Sequence, residues 1–186
     1  MLEALEEEMA MDKPMDNLHF RLMSFGFRFR DIFSPRINTL KEVEIKPGFC
    51  ALDYGCGSGS YITPLAELVG KSGKIYALDI HPLAIQSAQN TAVKSQLTNV
   101  ETICSDCKTG LPDESIDVVL LYDTFHGLSK PDKILAELHR ILKPGGTLSF
   151  NDHHLEESEI VSRITGKGLF KLSGKGKTTY SFTKEE

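Results

Sequence analysis

Residues 49–59 read FCALDYGCGSG, an apolar run that gives way to three glycines in alternation, Gly55, Gly57 and Gly59. The apolar part has the length and character of a buried strand, and a helix is expected from about Tyr61 to Val69. Glycines at such a junction let the backbone approach a ligand closely, and the helix N-terminus offers free N–H groups. The loop suits a nucleotide-containing cofactor. Its spacing departs from the dinucleotide fingerprint G-x-G-x-x-G/A, because Gly59 follows Gly57 by two and position 60 is serine. Asp53 adds a carboxylate two residues before Gly55, awkward beside a pyrophosphate and acceptable beside a cationic or zwitterionic group. The loop therefore leans toward a ligand without phosphates.

Outward from this loop the chain alternates regularly. KIYALDI (74–80), NVETICSD (99–106), SIDVVLLYD (115–123) and TLSFND (147–152) read as strands, and helices are expected over about 82–95 and 132–142. Lys143-Pro144-Gly145-Gly146 reads as a sharp stop after the second of these helices. VVLL is a continuous apolar run, the mark of a central strand covered on both faces. Strand–helix alternation of this kind predicts an α/β fold with a doubly wound, mostly parallel sheet. GLFKLS and KTTYSFTK, around Gly174-Lys175-Gly176, read as a terminal antiparallel hairpin.

Two further acids fall at strand ends. Asp79 closes the second strand, twenty residues past Gly59, where a carboxylate can accept both ribose hydroxyls. Asp106 closes the third, placed to accept from an adenine amino group. On simpler readings the glycines form a tight turn, Asp79 caps the next helix, and Asp106 is a turn residue.

Composition narrows the class. The 186 residues suit one domain, and 40% hydrophobic with 25% charged residues excludes wholesale disorder. With 21 Lys and Arg against 26 Asp and Glu, the net charge of −5 argues against a nucleic-acid partner. The sequence holds no run long enough for a membrane span, and its acidic start is unlike a signal peptide, so a cytoplasmic location is expected. Four cysteines are too few for a disulfide scaffold. Cys104 and Cys107 form one C-x-x-C pair without a second, so no metal site is expected there, and Cys104 is expected to point into the core.

The quoted segments together resemble the class I S-adenosylmethionine-dependent methyltransferases, the small single-domain kind, and among them the enzymes of quinone biosynthesis. LDYGCGSG is similar to the family's glycine motif and LDIHP to its acidic second-strand motif. SDCKTGLPDESIDVVLLYDTFH and LHRILKPGGTLSF are similar to the segments from the adenine loop to the fifth strand. The likeness covers roughly residues 36–183 and implies a Rossmann-like sheet of seven strands, the last antiparallel. It also implies S-adenosyl-L-methionine as cofactor. Asp53, Gly55, Cys56, Gly57 and Gly59 would hold its methionine portion, and Asp79 its ribose. Ile80 would pack on the adenine, Asp106 and Cys107 would read its edge, and Tyr122 and Asp123 would line the methyl end.

Methyl transfer is an in-line displacement, for which the protein mainly aligns donor and acceptor. A neutral hydroxyl or acidic carbon also needs a base, and His126, after the fourth strand, is the candidate catalytic residue. Asp152, His153 and His154 resemble metal ligands, but neighbours on an extended segment should point apart, so none is expected to bind a metal. Asp123-Thr124-Phe125-His126 differs from the Asp/Asn-Pro-Pro-Tyr/Phe form of amino-methylating relatives, which points to a small-molecule acceptor. The rival readings are a catalytically silent cofactor-binding subunit and, against the glycine spacing, an NAD-dependent oxidoreductase.

Residues 1–34 are set apart from a methyltransferase domain at 35–186. Glu6, Glu7 and Glu8 suggest a solvated helix in the leader. Residues 17–40 interleave Phe20, Phe25, Phe27, Phe29 and Phe33 with Arg21, Arg28, Arg30 and Arg36. Such a segment fits a lid over the cofactor, with peripheral membrane contact as a second reading and a nucleic-acid patch as a third.

Overall fold

The computed structural model describes residues 14–33 and 35–185, so the leader helix suggested at Glu6–Glu8 lies outside the described residues. Seven strands pair into one sheet: β1 (Cys50–Tyr54), β2 (Lys74–Asp79), β3 (Val100–Cys104), β4 (Ile116–Tyr122), β5 (Leu142–Asn151), β6 (Phe170–Lys175) and β7 (Tyr180–Lys184). Their spatial order is β3-β2-β1-β4-β5-β7-β6. The first five run parallel, while β7 is antiparallel to both β5 and β6, as the terminal hairpin reading predicts. Between the strands lie α3 (Ile62–Val69), α4 (Pro82–Lys94), α5 (Pro131–Ile141) and α6 (Glu157–Thr165), preceded by α1 (Asn17–Phe33) and the short α2 (Ile37–Leu40).

Burial explains the strand types. β4, with apolar residues at nearly every position, lies in the middle of the sheet and is almost wholly buried. β3 is an edge strand and stays partly open to solvent. Cys104 is for that reason exposed rather than in the core, with its thiol facing the Ile80 carbonyl. The order of strands reverses between β1 and β4, so the crevice above their carboxyl ends is the place where a ligand binds in a sheet of this type.

One turn prediction needs correcting. Residues 143–146 do not separate helix from strand; β5 already starts at Leu142, which pairs with Ile116, and resumes its ladder where Thr147 pairs with Val118. Lys143 to Gly146 bulge out of the ladder between these pairs, with Gly145 at φ +75° supplying the left-handed backbone the bulge needs.

α4 is the helix that fixes the ligand crevice. His81 is its N-cap, its Nδ1 accepting from the Leu83 N–H at 3.1 Å, and Pro82 fills the first turn. Its buried side is a stripe of Ala84, Ala88 and Ala92, small enough to let the helix press against the glycine loop. A Cβ at Gly59 would lie 3.1 Å from Ile62 Cδ1 and 3.2 Å from Ala88 Cα. Glycine is needed there for close packing.

Candidate active site

Above the carboxyl ends of β1, β2 and β4 lies a cavity of about 470 Å3, within the size range of small-molecule sites. Every site residue expected from the sequence lines it except Gly59 and Cys107. Gly59 stands behind the loop against α4, and Cys107 packs against the main hydrophobic core.

The glycine loop is held open by a carboxylate. Gly55 and Gly57 have φ +79° and +50°, which turn the chain over the end of β1. Asp79 Oδ2 accepts from the Gly57 N–H at 2.9 Å, and its Oδ1 accepts from the His81 N–H at 2.8 Å. Asp79 thus fixes the backbone of the α4 cap residue His81 and ties it to the loop. Each oxygen keeps a lone pair for a ligand.

Asp53 is only 2% exposed and lines the same cavity, and its Oδ2 is buried without a hydrogen-bond partner. Burial, and then the neighbouring charge of Asp79, push its carboxyl up to about 7. Burial alone lifts the Asp79 carboxyl, and the hydrogen bonds from His81 and Gly57 offset part of that effect. Burial also pushes the Cys56 thiol up, with Asp53 and Asp79 adding to it, so Cys56 is a wall residue without thiolate character. Asp106 is fixed through its carbonyl, which accepts from the Tyr54 hydroxyl at 2.9 Å. The Tyr122 hydroxyl is buried against Ser149 Oγ at 2.6 Å.

At the β4–β5 end of the cavity stands a cluster of histidines and acids. His126 Nδ1 lies 2.9 Å from Asp152 Oδ2, whose carboxylate also accepts from the N–H groups of His126 and His154. Burial raises the Asp152 carboxyl, but these hydrogen bonds outweigh it and hold the group below its ordinary value. The His154 ring lies tilted against its neighbours, its centroid 4.0 Å from that of His126 and 3.9 Å from that of His153. His153 Nδ1 in turn lies 2.7 Å from Asp123 Oδ1. Residues 152–154 are not extended: they enter a turn after β5, which gathers the side chains that an extended segment would have spread apart.

The wall from α1 has no counterpart among the individual site residues expected from the sequence. Phe20 is buried, stacks on His81 at 4.4 Å, and lines the cavity with Met23. The interleaved aromatics of 17–40 were the available signal. For Asp152 the sequence shows only that LLYD and FND end neighbouring parallel strands, and nothing in it pairs Asp152 with His126.

A family model described as a methyltransferase domain matches residues 45–181. The chain belongs to this methyltransferase family. The chain is 31% identical over 129 residues to a demethylmenaquinone methyltransferase of Geobacillus sp. (strain WCH70), covering 69% of this chain and 55% of that protein. It is 25% identical over 137 residues to a ubiquinone/menaquinone biosynthesis C-methyltransferase of Marinomonas sp. (strain MWYL1), covering 73% and 55%. The chain thus spans about half the length of the curated relatives it matches. Its fold superimposes with a TM-score of 0.74 on a SAM-dependent methyltransferase from Aquifex aeolicus, 27% identical, over 92% of this chain and 98% of that one. The resemblance and the seven-stranded fold read from the sequence are both borne out. Among the described residues no helix is long and apolar enough to cross a membrane.

Proposed function

We propose that this chain binds S-adenosylmethionine in the cavity and transfers its methyl group to a small-molecule acceptor, with His126 as general base. The observation that carries the reading is Asp53: a buried carboxylate oxygen with no partner, at the wall of a cavity, beside a glycine loop. A group of this kind calls for a cation from the ligand, and the cofactor's ammonium is one. Its presence inside the glycine loop disfavours a pyrophosphate, and with it NAD.

The residues present fit the cofactor. Asp53, Gly55, Cys56 and Gly57 would hold its amino-acid end, with Gly59 behind them. Asp79 would accept from the ribose, and Ile80 and Asp106 would flank the adenine, with Cys107 behind. Tyr122 and Asp123 would border the methyl end. When bound, the cofactor supplies an electrophilic methyl on a sulfonium and a neutral thioether as leaving group.

The chain's own contribution is alignment, exclusion of water and removal of a proton. Phe20 and Met23 close one side of the cavity with apolar surface. Asp152, whose side chain has no exposure, fixes the His126 ring through Nδ1. With the proton of neutral His126 on Nδ1, Nε2 is left as an acceptor for the proton of a hydroxyl or acidic carbon. Two relatives named as quinone-biosynthesis methyltransferases support a small-molecule acceptor.

Thermal melting with ligands tests this reading. S-adenosylmethionine and S-adenosylhomocysteine should raise the melting temperature, NAD should not, and Asp53→Asn should abolish the shift. Stabilisation by NAD alone would overturn the assignment. Incubation with methyl-labelled cofactor and a panel of phenolic, quinol and carboxylate acceptors then tests turnover, and binding without transfer to any of them would favour the silent-subunit reading.

A further inference from the structure

At the β2 end of the cavity a second buried polar group goes without a partner. His81 is 3% exposed and lines the cavity, and among the described residues nothing hydrogen-bonds to its Nε2. The fold decides which ring nitrogen carries the proton. A backbone N–H can only donate, so the bond from the Leu83 N–H at 3.1 Å makes Nδ1 an acceptor. The proton of the neutral ring is then on Nε2, and the partnerless group is a donor. His126 and His153 turn Nδ1 toward carboxylates instead.

The ring is not free to turn and find water. Nδ1 is tied to the first turn of α4, the His81 N–H is tied to Asp79 Oδ1 at 2.8 Å, and Phe20 covers the ring with centroids 4.4 Å apart. The two rings lie 25° from parallel, so an N–H in the imidazole plane does not point at the Phe20 π-face. Capping does not explain the donor either. Asparagine, aspartate and serine are the ordinary residues for that task, and histidine adds to it a polar atom that the cap does not use. A buried N–H without an acceptor is costly, so this one has a use that the protein alone does not show.

We infer that His81 is a ligand-binding residue, whose Nε2–H donates to the nucleoside in the cavity, at a ribose oxygen or at the purine nitrogen N3 beside the sugar. The inference rests on the reading of the cavity as an S-adenosylmethionine site and adds to it a contact of the opposite sense. Asp53, Asp79 and Asp106 offer carboxylate acceptors, whereas a ribose and a purine also present lone pairs that want a donor. Asp79 Oδ1 holds the His81 backbone, so acceptor and donor are fixed as one unit at the end of β2. A buried donor of this kind makes the site selective, because a ligand lacking the matching atom leaves it unpaired.

Two measurements on the full chain test this. Nitrogen-15 NMR of the histidine rings in the ligand-free protein should show His81 protonated at Nε2, with that proton moving downfield when adenosine or S-adenosylhomocysteine binds. A ring protonated at Nδ1, or an Nε2 proton unmoved by binding, would overturn the inference without need of any variant. Calorimetry then compares adenosine with 2′-deoxyadenosine, 3′-deoxyadenosine and 3-deazaadenosine. In His81→Asn the amide oxygen can still accept from the Leu83 N–H. This variant should weaken adenosine binding by about tenfold or more, and should weaken far less the one analogue that lacks the accepting atom. Equal losses for all four nucleosides would mean that the ring only packs, and would sink the inference. Adenosine binding equally to parent and variant would also sink it, yet leave the assignment of the cavity standing. Failure of both adenosine and S-adenosylhomocysteine to bind the parent would remove that assignment as well.

Discussion

Asp53 at the end of β1 and Glu137 on α5 are both carboxylates drawn away from solvent, and the chain treats them in opposite ways. Glu137 Oε1 accepts from the Thr109 N–H at 2.9 Å and from Thr109 Oγ1 at 2.6 Å, and Arg140 donates to both of its oxygens. The Arg140 hydrogen bonds, opposed by burial and aided by Thr109, bring its carboxyl down to about 2. Among the described residues no cation pairs with Asp53, and burial together with Asp79 lifts it to about 7. A carboxylate that serves the fold gets its partner from the same chain. Asp53, at the cavity wall, keeps a buried oxygen to which no described residue hydrogen-bonds, and in the proposed function the cofactor's ammonium is its partner.

The contrast makes opposite predictions about pH, and the largest concerns Asp53. Its folded value lies above the ordinary 3.8, so the folded chain holds a proton that the unfolded chain releases. That contribution to stability is complete below about pH 4 and is lost as pH rises to about 7, amounting to about 4 kcal/mol. Asp53→Asn should therefore flatten the pH dependence of melting across this window and make the ligand-free protein more stable at pH 8. Affinity for S-adenosylmethionine should run the other way, tightening in the parent as Asp53 ionises. An unchanged slope in Asp53→Asn would mean that Asp53 is not the group that titrates in this window.

Glu137 carries the opposite sign. Its folded value lies below 4.5, so its contribution is present above that pH and is lost as pH falls toward about 2. Glu137→Ala should cost about 3 kcal/mol at pH 7, because Thr109 and Arg140 lose their acceptor together. The deficit, measured by denaturant titration, should shrink on acidification. A deficit that persists at pH 2 would mean that packing, not charge, is what Glu137 supplies.

Asp79 is intermediate between the two, holding the loop and α4 through backbone N–H groups while still facing the cavity. Asp79→Ala should weaken S-adenosylmethionine binding about a hundredfold, or about 2.7 kcal/mol. Undiminished calorimetric affinity would remove Asp79 from the site.

What was legible in the sequence follows the range of the interactions. The glycine loop, Asp53 and Asp79 were readable because strand, loop and helix follow each other directly, and each acid's place relative to the glycines sets its chemistry. β4 was readable from its unbroken apolar run. Asp152 as partner of His126 was not, because 26 residues separate them and the contact depends on the register of two strands. Reading residues 152–154 as extended hid the turn that gathers three histidines. Cys104 was misplaced because a strand's pattern does not say whether it lies at the sheet's edge, and the bulge at 143–146 because Pro-Gly-Gly marks a turn without saying where pairing resumes.

The two faces of α1 repeat the comparison in apolar terms. Phe20 is 5% exposed against His81 and the cavity, whereas Leu18, Leu22 and Phe25 on the same helix are 68%, 66% and 75% exposed. Phe20 covers the ring that caps α4, so its loss opens both the cavity wall and the N-terminal end of that helix. Stacked aromatic contacts contribute about 1 kcal/mol beyond area, so Phe20→Ala should weaken S-adenosylmethionine binding about five- to tenfold. Leu22→Ala, on the solvent face, should leave that affinity unchanged and so serves as the internal control. If the two substitutions prove equivalent by calorimetry, α1 is no cover for the cofactor and the segment's function lies on its exposed side.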